Sequence, residues 1–245
     1  MKILVCITHV PDTTSKINFI NNQTKFDSTG VQFIIGPYDD YALARAVELK
    51  ESGGATITVL NVGLADTEPT LRKALAIGAD DAVRVNAEPT DSFFVAKQIV
   101  EHARSLNYDL ILMGRESIDY NSGVVHALVG EMLGIPSVSP VMKLEIADGK
   151  AKLAREIEGG KELLEVNLPF VAGCQEPIAE WKIPNMRGIM SARTKPLKVV
   201  EAVSVDSFVK LDKYELPPPK GAVKLVSADK VSDLVDLLKN EARIL

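Results

Sequence analysis

Four short apolar runs, each leading into a loop and three of them into a helical stretch, constrain the fold of this chain most. The runs cover residues 3–7, 57–61, 81–85 and 109–113. Continuous apolar runs of this length are typical of strands buried on both faces of a parallel sheet. Helical periodicity separates them, with helix ends marked at Gly53-Gly54 and Gly78. The alternation predicts a doubly wound, mostly parallel Rossmann-like α/β fold with right-handed crossovers.

The order of these strands decides where a ligand would bind. With the order 3-2-1-4, the first and fourth strands are neighbours and their crossovers diverge. Open α/β sheets bind ligands in the crevice that forms at such a point, beyond the carboxyl ends of the strands. The loops meeting there would be residues 6–12, 36–40, 61–63 and 114–125. We therefore expect one nucleotide-sized ligand, held by four loops on one edge of the sheet.

Residues 108–136 carry the clearest single indication of such a site. The strand breaks at Gly114, a polar loop follows, and a helix is predicted to start around Ser122-Gly123 and to end at Gly134. Unpaired backbone N–H groups and the positive end of the helix dipole favour an anion at a helix N-terminus. The loop contains neither a Walker Gly-Lys-Ser/Thr sequence nor GxGxxG. On its own this stretch indicates only a possible nucleotide site.

The pattern changes after Pro136. Residues 141–146, 150–157 and 162–168 alternate in polarity and are joined by Asp148-Gly149 and Gly159-Gly160, which are hairpin-turn sequences. They predict an antiparallel meander on the edge of the sheet.

The C-terminal part reads as an extended arm. Residues 178–196 are irregular, prolines 217–219 form a stiff spacer, and Ser227 is predicted to cap a last amphipathic helix. That helix either folds back or docks on another chain, and docking is favoured because no core of its own lies nearby. The predicted domains are an α/β nucleotide-binding domain, residues 1–196, and an arm with a terminal helix, residues 197–245.

Composition excludes several classes of protein. The chain has 245 residues and a net charge of −5, which argues against nucleic acid as the main partner. No apolar run approaches the ~20 residues of a membrane span, and a strand follows the first methionine directly, so a cytoplasmic protein is expected. Cys6 and Cys174 lie in apolar strand contexts and are interpreted as buried thiols.

No catalytic or metal site is predicted. His9, His102 and His126 have no metal-ligand spacing to cysteines or carboxylates, and no GxSxG sequence is present. His9 lies at the proposed cleft, and Arg115 with Glu116 is interpreted either as a ligand contact or as a surface ion pair. The chain looks like one that holds a ligand rather than one that transforms it.

Several motifs resemble the electron transfer flavoprotein beta subunit family, and they run nearly the full length of the chain. They are KILVCITHVPDTT (2–14), GPYDDYAL (36–43), LAIGAD (75–80), GRESID (114–119), REIEGG (155–160), LP (168–169) and RGIMSARTKPL (187–197). The resemblance implies a beta subunit, not itself an enzyme, that pairs with an alpha subunit carrying the redox FAD. The heterodimer would carry electrons between flavin dehydrogenases, such as acyl-CoA dehydrogenases, and a downstream acceptor. The arm would dock on the alpha subunit.

The resemblance also assigns site residues. In this family the cleft of the beta subunit holds AMP in simple carriers and a second FAD in electron-bifurcating ones. Residues 178–196 would be the recognition loop, with Met186 beside Arg187 as the apolar anchor that docks on dehydrogenases. The implied nucleotide contacts are Cys6, Thr8, Gly36, Pro37, Tyr38, Asp39, Asn61, Val62, Gly63, Gly114, Arg115, Asp119, Asn121, Ser122, Gly123, Val124 and Val125.

Two other functions fit the pattern of elements. A stand-alone adenine-nucleotide sensor of similar topology would use the same cleft, but it has little use for the arm after residue 217. A nucleotide-dependent ligase or hydrolase is disfavoured because no catalytic constellation is present.

Overall fold

A computed structural model describes residues 1–206 and 208–245. The chain forms two compact units, a larger one of residues 1–18 and 27–211 and a smaller one of residues 19–26 and 212–245. The strands are β1 Lys2–Cys6, β2 His9–Pro11, β3 Phe19–Ile20, β4 Lys25–Phe26, β5 Phe33–Ile35, β6 Thr56–Val62, β7 Asp81–Asn86, β8 Leu110–Gly114, β9 Ser137–Ala147, β10 Lys150–Ile157, β11 Gly160–Asn167, β12 Phe170–Cys174 and β13 Leu197–Glu201. The α-helices are α1 Pro37–Gly53, α2 Glu68–Ile77, α3 Ser92–Arg104, α4 Val125–Leu133, α5 Met186–Ala192 and α6 Val231–Asp236.

The central sheet of the larger unit has the order β11-β10-β9-β12-β8-β1-β6-β7-β13. Its middle, β7-β6-β1-β8, is the predicted order 3-2-1-4, which is therefore confirmed. Strand β1 pairs in parallel with β6 on one side and with β8 on the other. The connections diverge between β1 and β8, so the carboxyl ends of these two strands form the expected crevice.

One edge of the sheet is the predicted meander. Strands β9, β10 and β11 pair antiparallel in sequence order. Strand β12 lies between β8 and β9 and is parallel to both. All five residues of β12 are buried, as expected of a strand with neighbours on both sides. The meander is therefore attached to the parallel sheet through a strand that arrives later in the chain.

The opposite edge is formed by β13, which pairs in parallel with β7 along its whole length. These residues were predicted to start the arm, residues 197–245, whereas the structure has them in the central sheet. Leu197 and Val200 pack against the two hydrophobic cores of the larger unit. Because these apolar contacts hold the strand in place, the chain leaves the sheet only after Glu201.

The two faces of the sheet carry separate cores, which follows from the alternation of side chains along each strand. Ile3 and Val5 of β1 face one core with residues of α1 and α2, whereas Leu4 faces the other with residues of α3 and α4. Full burial of one such aliphatic side chain contributes about 1.5–3 kcal/mol. Helices on both faces make this a doubly wound α/β fold, as predicted.

Helix α4 starts two residues later than predicted, at Val125 instead of Ser122-Gly123. The predicted start is displaced because Ser122 belongs to the loop, where it forms an isolated backbone bridge with Ser117 and a hydroxyl contact with Ser92. The helix ends as expected at Gly134, whose φ of 68° is the left-handed conformation that glycine adopts readily.

The smaller unit begins with the β3–β4 hairpin, and the larger unit pairs β2 with β5. The turn-rich sequence between residues 16–20 and 31–35 predicts one hairpin of these two segments, and the structure has two short ladders instead. The backbone N–H of Tyr214 donates to the Gln23 carbonyl at 2.7 Å, and the Tyr214 ring stacks on Phe19 at 4.6 Å. Helix α6 follows Ser227, whose side chain forms no capping hydrogen bond, contrary to the prediction. Within the described residues, no helix combines the length and apolar character of a membrane span.

Candidate functional site

The carboxylate of Asp39 connects three loops at the crevice. One oxygen accepts hydrogen bonds from the backbone N–H and the hydroxyl of Thr8, at 2.8 and 2.6 Å. The other accepts from the backbone N–H of Gly114 at 2.7 Å. Asp39 is only 3% exposed. Both oxygens are thus used by the protein, and this predicted ligand contact fixes the first turn of α1 against the ends of β1 and β8.

Burial changes the titration of two groups here. Burial raises the pKa of Asp39 to about 6, although the hydrogen bonds from Thr8 and Gly114 act in the opposite direction. Burial also raises the pKa of the Cys6 thiol, with a further contribution from the negative charge of Asp39. A protonated, buried thiol is a poor nucleophile, so Cys6 acts as an apolar wall of the site.

Three glycines of the site have different reasons to be glycine. A Cβ at Gly114 would lie 2.7 Å from the Cβ of Tyr38, and one at Gly36 would collide with Thr8 and Asp39. At Gly123 the nearest atom to an added Cβ is the Arg115 carbonyl oxygen, at 3.6 Å, which is ordinary contact. Gly36 and Gly114 are therefore required by packing, whereas a Cβ at Gly123 would fit without a collision.

A small cavity of about 60 Å³ lies at the centre of this edge. A water molecule occupies about 30 Å³ of liquid volume, whereas ligand pockets measure about 300–1,000 Å³. A nucleotide at this edge would therefore also contact the surface around the cavity. The lining residues are Cys6, Ile7, Thr8, Asp39, Leu60, Val62, Val95, Ile99, Met113, Gly114, Arg115, Glu116, Ser117, Ser122, Val125 and His126.

Eight of the predicted contacts line this cavity: Cys6, Thr8, Asp39, Val62, Gly114, Arg115, Ser122 and Val125. The other nine stand on the same loops but outside the lining: Gly36, Pro37, Tyr38, Asn61, Gly63, Asp119, Asn121, Gly123 and Val124. Val95 and Ile99 on α3 were missed, since their spacing of four residues reads as ordinary core packing. His126 was missed because the sequence placed it one turn inside the helix.

A larger cavity of about 840 Å³ lies within the smaller unit, between residues 224–227 and 230–241. It is an open space beside α6 and the segment that precedes it. Its walls include exposed apolar and charged side chains, and two of the charged ones, Lys224 and Glu241, pair with each other at 2.9 Å. We assign no ligand to it.

The start of α4 retains the anion-favouring character that the sequence predicted. No side chain caps this helix, so its first N–H groups stay available for a ligand. The His126 ring hydrogen-bonds to the backbone of Gly123, and burial lowers the pKa of His126. A neutral imidazole at neutral pH leaves the helix dipole as the main source of positive potential at this point.

Arg115 is the cation closest to the cavity. Its guanidinium stacks over the Tyr38 ring at 4.7 Å, and Nη1 donates to Gln175 Oε1 at 3.0 Å. Nη2 pairs with Glu116 at 3.1 Å, so the predicted ion pair is present. The buried Nε of Arg115 and the buried Oδ1 of Asn61 have no hydrogen-bond partner among the described residues. Unsatisfied buried polar atoms and an uncapped helix start are consistent with a polar ligand at this edge.

The predicted docking residues lie on a separate surface. Asn185 caps α5 by accepting a hydrogen bond from the Gly188 N–H at 2.8 Å. Met186 and Ile183 are each 73% exposed, and the side chain of Arg187 is exposed beside them. An apolar surface of this kind on a structured segment is typical of a protein–protein contact. Among the described residues, no group of three His, Cys, Asp or Glu side chains is arranged to hold a metal ion.

Together the fold and the site define a doubly wound α/β protein with an anion-favouring crevice at the topological switch point. The family model for the electron transfer flavoprotein domain matches residues 23–205. The chain is 36% identical to electron transfer flavoprotein subunit beta of Bacillus subtilis (strain 168), over 100% of both chains. It is also 36% identical to the protein of that name from Syntrophomonas wolfei, covering 100% of this chain and 98% of the relative.

A third relative carries a different name. Acryloyl-CoA reductase electron transfer subunit gamma of Anaerotignum propionicum is 32% identical, over 97% of this chain and 98% of the relative. The chain belongs to the electron transfer flavoprotein family, as a subunit of the beta type. The stand-alone nucleotide sensor is not favoured.

Proposed function

We propose that this chain pairs with an alpha subunit that carries FAD, and that the heterodimer passes electrons from flavin dehydrogenases to a downstream acceptor. The observation that carries the proposal is the exposed apolar surface of the arm. Leu225 is 90% exposed and Val223 is 76% exposed. Apolar side chains this exposed are typical of a surface that a partner covers. A lone nucleotide sensor has no use for such an arm.

The FAD of the alpha subunit would supply the redox chemistry, and the residues of this chain would bind and orient. Cys6 and Cys174 are buried and burial raises the pKa of both thiols, so neither is suited to thiol redox chemistry. We propose, from its family membership, that the chain is an electron-transfer subunit rather than an enzyme. A cytoplasmic location stays a prediction from the sequence.

We further propose that the crevice binds the adenine nucleotide that AMP and FAD have in common. The N–H groups at the start of α4 would hold a phosphate, with Arg115 as the nearest cation. Val62, Val95 and Ile99 offer an apolar wall to the base. Whether the site holds AMP or a second FAD is decided by mass spectrometry of the small molecule that heat releases from the purified complex.

Co-expression with the alpha-type subunit encoded nearby tests the pairing. We expect the two chains to purify together in equal amounts as a yellow complex with flavin absorbance. Purification of this chain alone, colourless and monomeric in the presence of the alpha-type subunit, would contradict the proposal. Addition of FAD to that mixture is the control, because it separates lost cofactor from failed pairing.

Met186 and Arg187 would then form the contact with the dehydrogenase. Met186 presents a flexible thioether, which adapts to more than one apolar pocket. Arg187 lies beside it and would attract acidic groups on a partner. We therefore propose that residues 178–196 are the docking segment of the heterodimer.

A further inference from the structure

The docking segment, residues 178–196, is fixed at both ends and open in the middle. Ile178 near its start and Ala192 near its end are buried in the core under α1 and α2. Ile183, Met186 and Met190, between these two points, are exposed. Helix α5 within the segment nevertheless lies against α2, because a Cβ added at Gly188 would collide with the carbonyl oxygen of Ala76. The shape of the part before α5 therefore depends on how firmly its own end is held.

The end near α2 is held by two reciprocal contacts. Arg72 of α2 donates to the carbonyl oxygens of Ala192 and Lys195, at 2.8 and 2.7 Å. In return Lys195 donates to the carbonyls of Leu75 and Ala79, at 2.8 and 2.6 Å. Each cation satisfies the unpaired carbonyls at the C-terminus of the other helix, which is a favoured place for positive charge.

The end near α1 is held through the only tryptophan of the chain, Trp181. Its indole Nε1 donates to Asp40 Oδ2 at 3.1 Å. Asp40 is 8% exposed, and Lys73 Nζ is 4.0 Å from its Oδ2. Its Oδ1 has no hydrogen-bond partner in the part of the chain that the structure describes. Trp181 itself is 55% exposed, so it is not a core residue. Trp181 therefore acts through its indole N–H, which reaches the buried carboxylate of Asp40.

Two more contacts join the same region to α1. The Tyr41 hydroxyl donates to Glu176 at 3.0 Å, and Lys182 pairs with Glu51 at 3.0 Å. Both pairs lie at the surface, where such interactions are worth little. The indole bond to a buried, charged acceptor is the stronger kind of contact. It is therefore the contact most able to fix the first half of the segment.

We infer that Trp181, acting through Asp40, is a positioning residue that holds the docking segment in its partner-binding conformation before the partner arrives. This inference rests on the proposed function, since it assigns the segment to docking. A segment that is ordered in advance loses less conformational entropy on binding, and the affinity rises accordingly. Trp181 thus acts on recognition by the dehydrogenase, and the flavin and the nucleotide crevice are not involved.

The first test uses the purified heterodimer as the electron acceptor of an acyl-CoA dehydrogenase reduced by its acyl-CoA substrate. For Trp181→Phe we expect KM for the heterodimer to rise about 10- to 150-fold, the range for the loss of one hydrogen bond to a charged group. We expect kcat to stay within twofold and the flavin content to be unchanged. Glu51→Ala is the matched control, because it removes the surface ion pair with Lys182 from the α1 side, outside the docking segment, and it should stay within twofold of wild type.

Asp40 variants separate the hydrogen bond from any direct contact of Trp181 with the dehydrogenase. Asp40→Leu removes the acceptor and leaves the exposed face of the indole intact, so KM should rise as in Trp181→Phe. Asp40→Asn retains an acceptor oxygen and should restore KM to within threefold of wild type. Equal KM values for wild type, Trp181→Phe and Asp40→Leu would overturn the inference, as would an equal loss of kcat and flavin.

Hydrogen exchange supplies a readout that does not depend on electron transfer. The amides of residues 179–185 should exchange at least fivefold faster in Trp181→Phe and Asp40→Leu than in wild type, while those of β1 and β8 stay unchanged. If no yellow complex forms, the proposed function fails and this comparison still decides the positioning role on the full chain. Unchanged exchange in residues 179–185 would refute that role. If Asp40→Leu does not fold, the comparison rests on Trp181→Phe. This variant should fold because Trp181 is largely exposed.

Discussion

The carboxylate of Asp39 accepts hydrogen bonds from Thr8 and from Gly114, residues that are 106 positions apart in the sequence. These bonds bring the ends of β1 and β8 to a fixed distance from α1. The resemblance implied that Asp39 contacts the nucleotide. That role does not include its main contacts, because a carboxylate at a helix start looks the same in sequence whether it faces solvent, ligand or backbone.

Asp39 should make the stability of the protein depend on pH. Because the folded pKa, about 6, is above the ordinary 3.8, the folded state binds this proton more tightly than the unfolded state does. The stabilisation by this proton is fully present below pH 4 and is lost as pH rises through 6. The loss is on the order of 3 kcal/mol. Urea unfolding of wild type and Asp39→Asn between pH 4 and 7 measures it.

The comparison depends on the difference between the two pH profiles, since other groups titrate in the same range. The amide introduced by Asp39→Asn does not titrate, so the free-energy gap between wild type and this variant should change steadily from pH 4 to 6.5 and then level off. Asp12→Asn is the matched control at an exposed carboxylate. A gap that stays constant across this range would contradict the raised pKa of Asp39.

Among the elements, α4 combines the features of the candidate phosphate site. Its N-terminus is uncapped and adjoins the cavity. At Gly123, just before it, an added Cβ would make only ordinary van der Waals contact, with the Arg115 carbonyl oxygen at 3.6 Å. A side chain can therefore be introduced there with little strain, which makes this position suitable for a test of ligand binding.

We expect Gly123→Asp to lose the crevice nucleotide, because the new carboxylate would compete for the N–H groups and would repel a phosphate. Gly123→Ala is the control and should retain the nucleotide, with a midpoint of thermal unfolding within about 3 °C of wild type. Nucleotide content after purification, measured by chromatography of the heat-released fraction, reports the outcome. Equal content in both variants would exclude this helix start as the phosphate site.

The sequence predicted the elements of the larger unit well because burial on both faces leaves a local signal. Residues 3–7 and 109–113 read as strands from their composition alone, and the structure has strands there. The start of α4 was predicted two residues early, since Ser122 is a good capping residue by type. Its backbone instead bridges to Ser117 within the loop. Short-range patterns do not contain that competing contact.

At the scale of the whole molecule, the arm distinguishes a subunit from a self-sufficient domain. The larger unit ends at residue 211, and its sheet is complete at Glu201. The smaller unit contributes exposed apolar residues but no strand of the central sheet among the described residues. Pairing and nucleotide binding should therefore be separable by truncation.

Removal of residues 212–245 should leave a folded chain that no longer pairs with the alpha-type subunit. The expected result is a circular dichroism spectrum with the α/β signature, retained crevice nucleotide and loss of the yellow complex on co-purification. A chain truncated by four residues, at Glu241, serves as the control and should pair as wild type does. Persistence of the stoichiometric complex after the long truncation would show that the larger unit alone carries the interface.

The positions of β12 and β13 mark the limit of prediction from sequence at this scale. The order of the first four strands follows from general rules for α/β folds. No such rule inserts residues 170–174 between β8 and β9, or returns residues 197–201 to the far edge. Those pairings are decided by tertiary packing, for example by the contacts of Leu197 with one core and of Val200 with the other. The Trp181–Asp40 contact spans 141 positions and is hidden for the same reason.

Strand β13 also has a consequence for biosynthesis. Until Leu197 has emerged from the ribosome, the outer edge of β7 has no partner, although every other strand of the sheet is already present. An uncovered strand edge is a template for unwanted pairing with other chains. The nascent subunit thus carries an aggregation-prone edge from about residue 86 to residue 197 and loses it once β13 has paired. Messenger RNAs that end between the codons for residues 86 and 197 should yield insoluble product, whereas those that end after residue 211 should not.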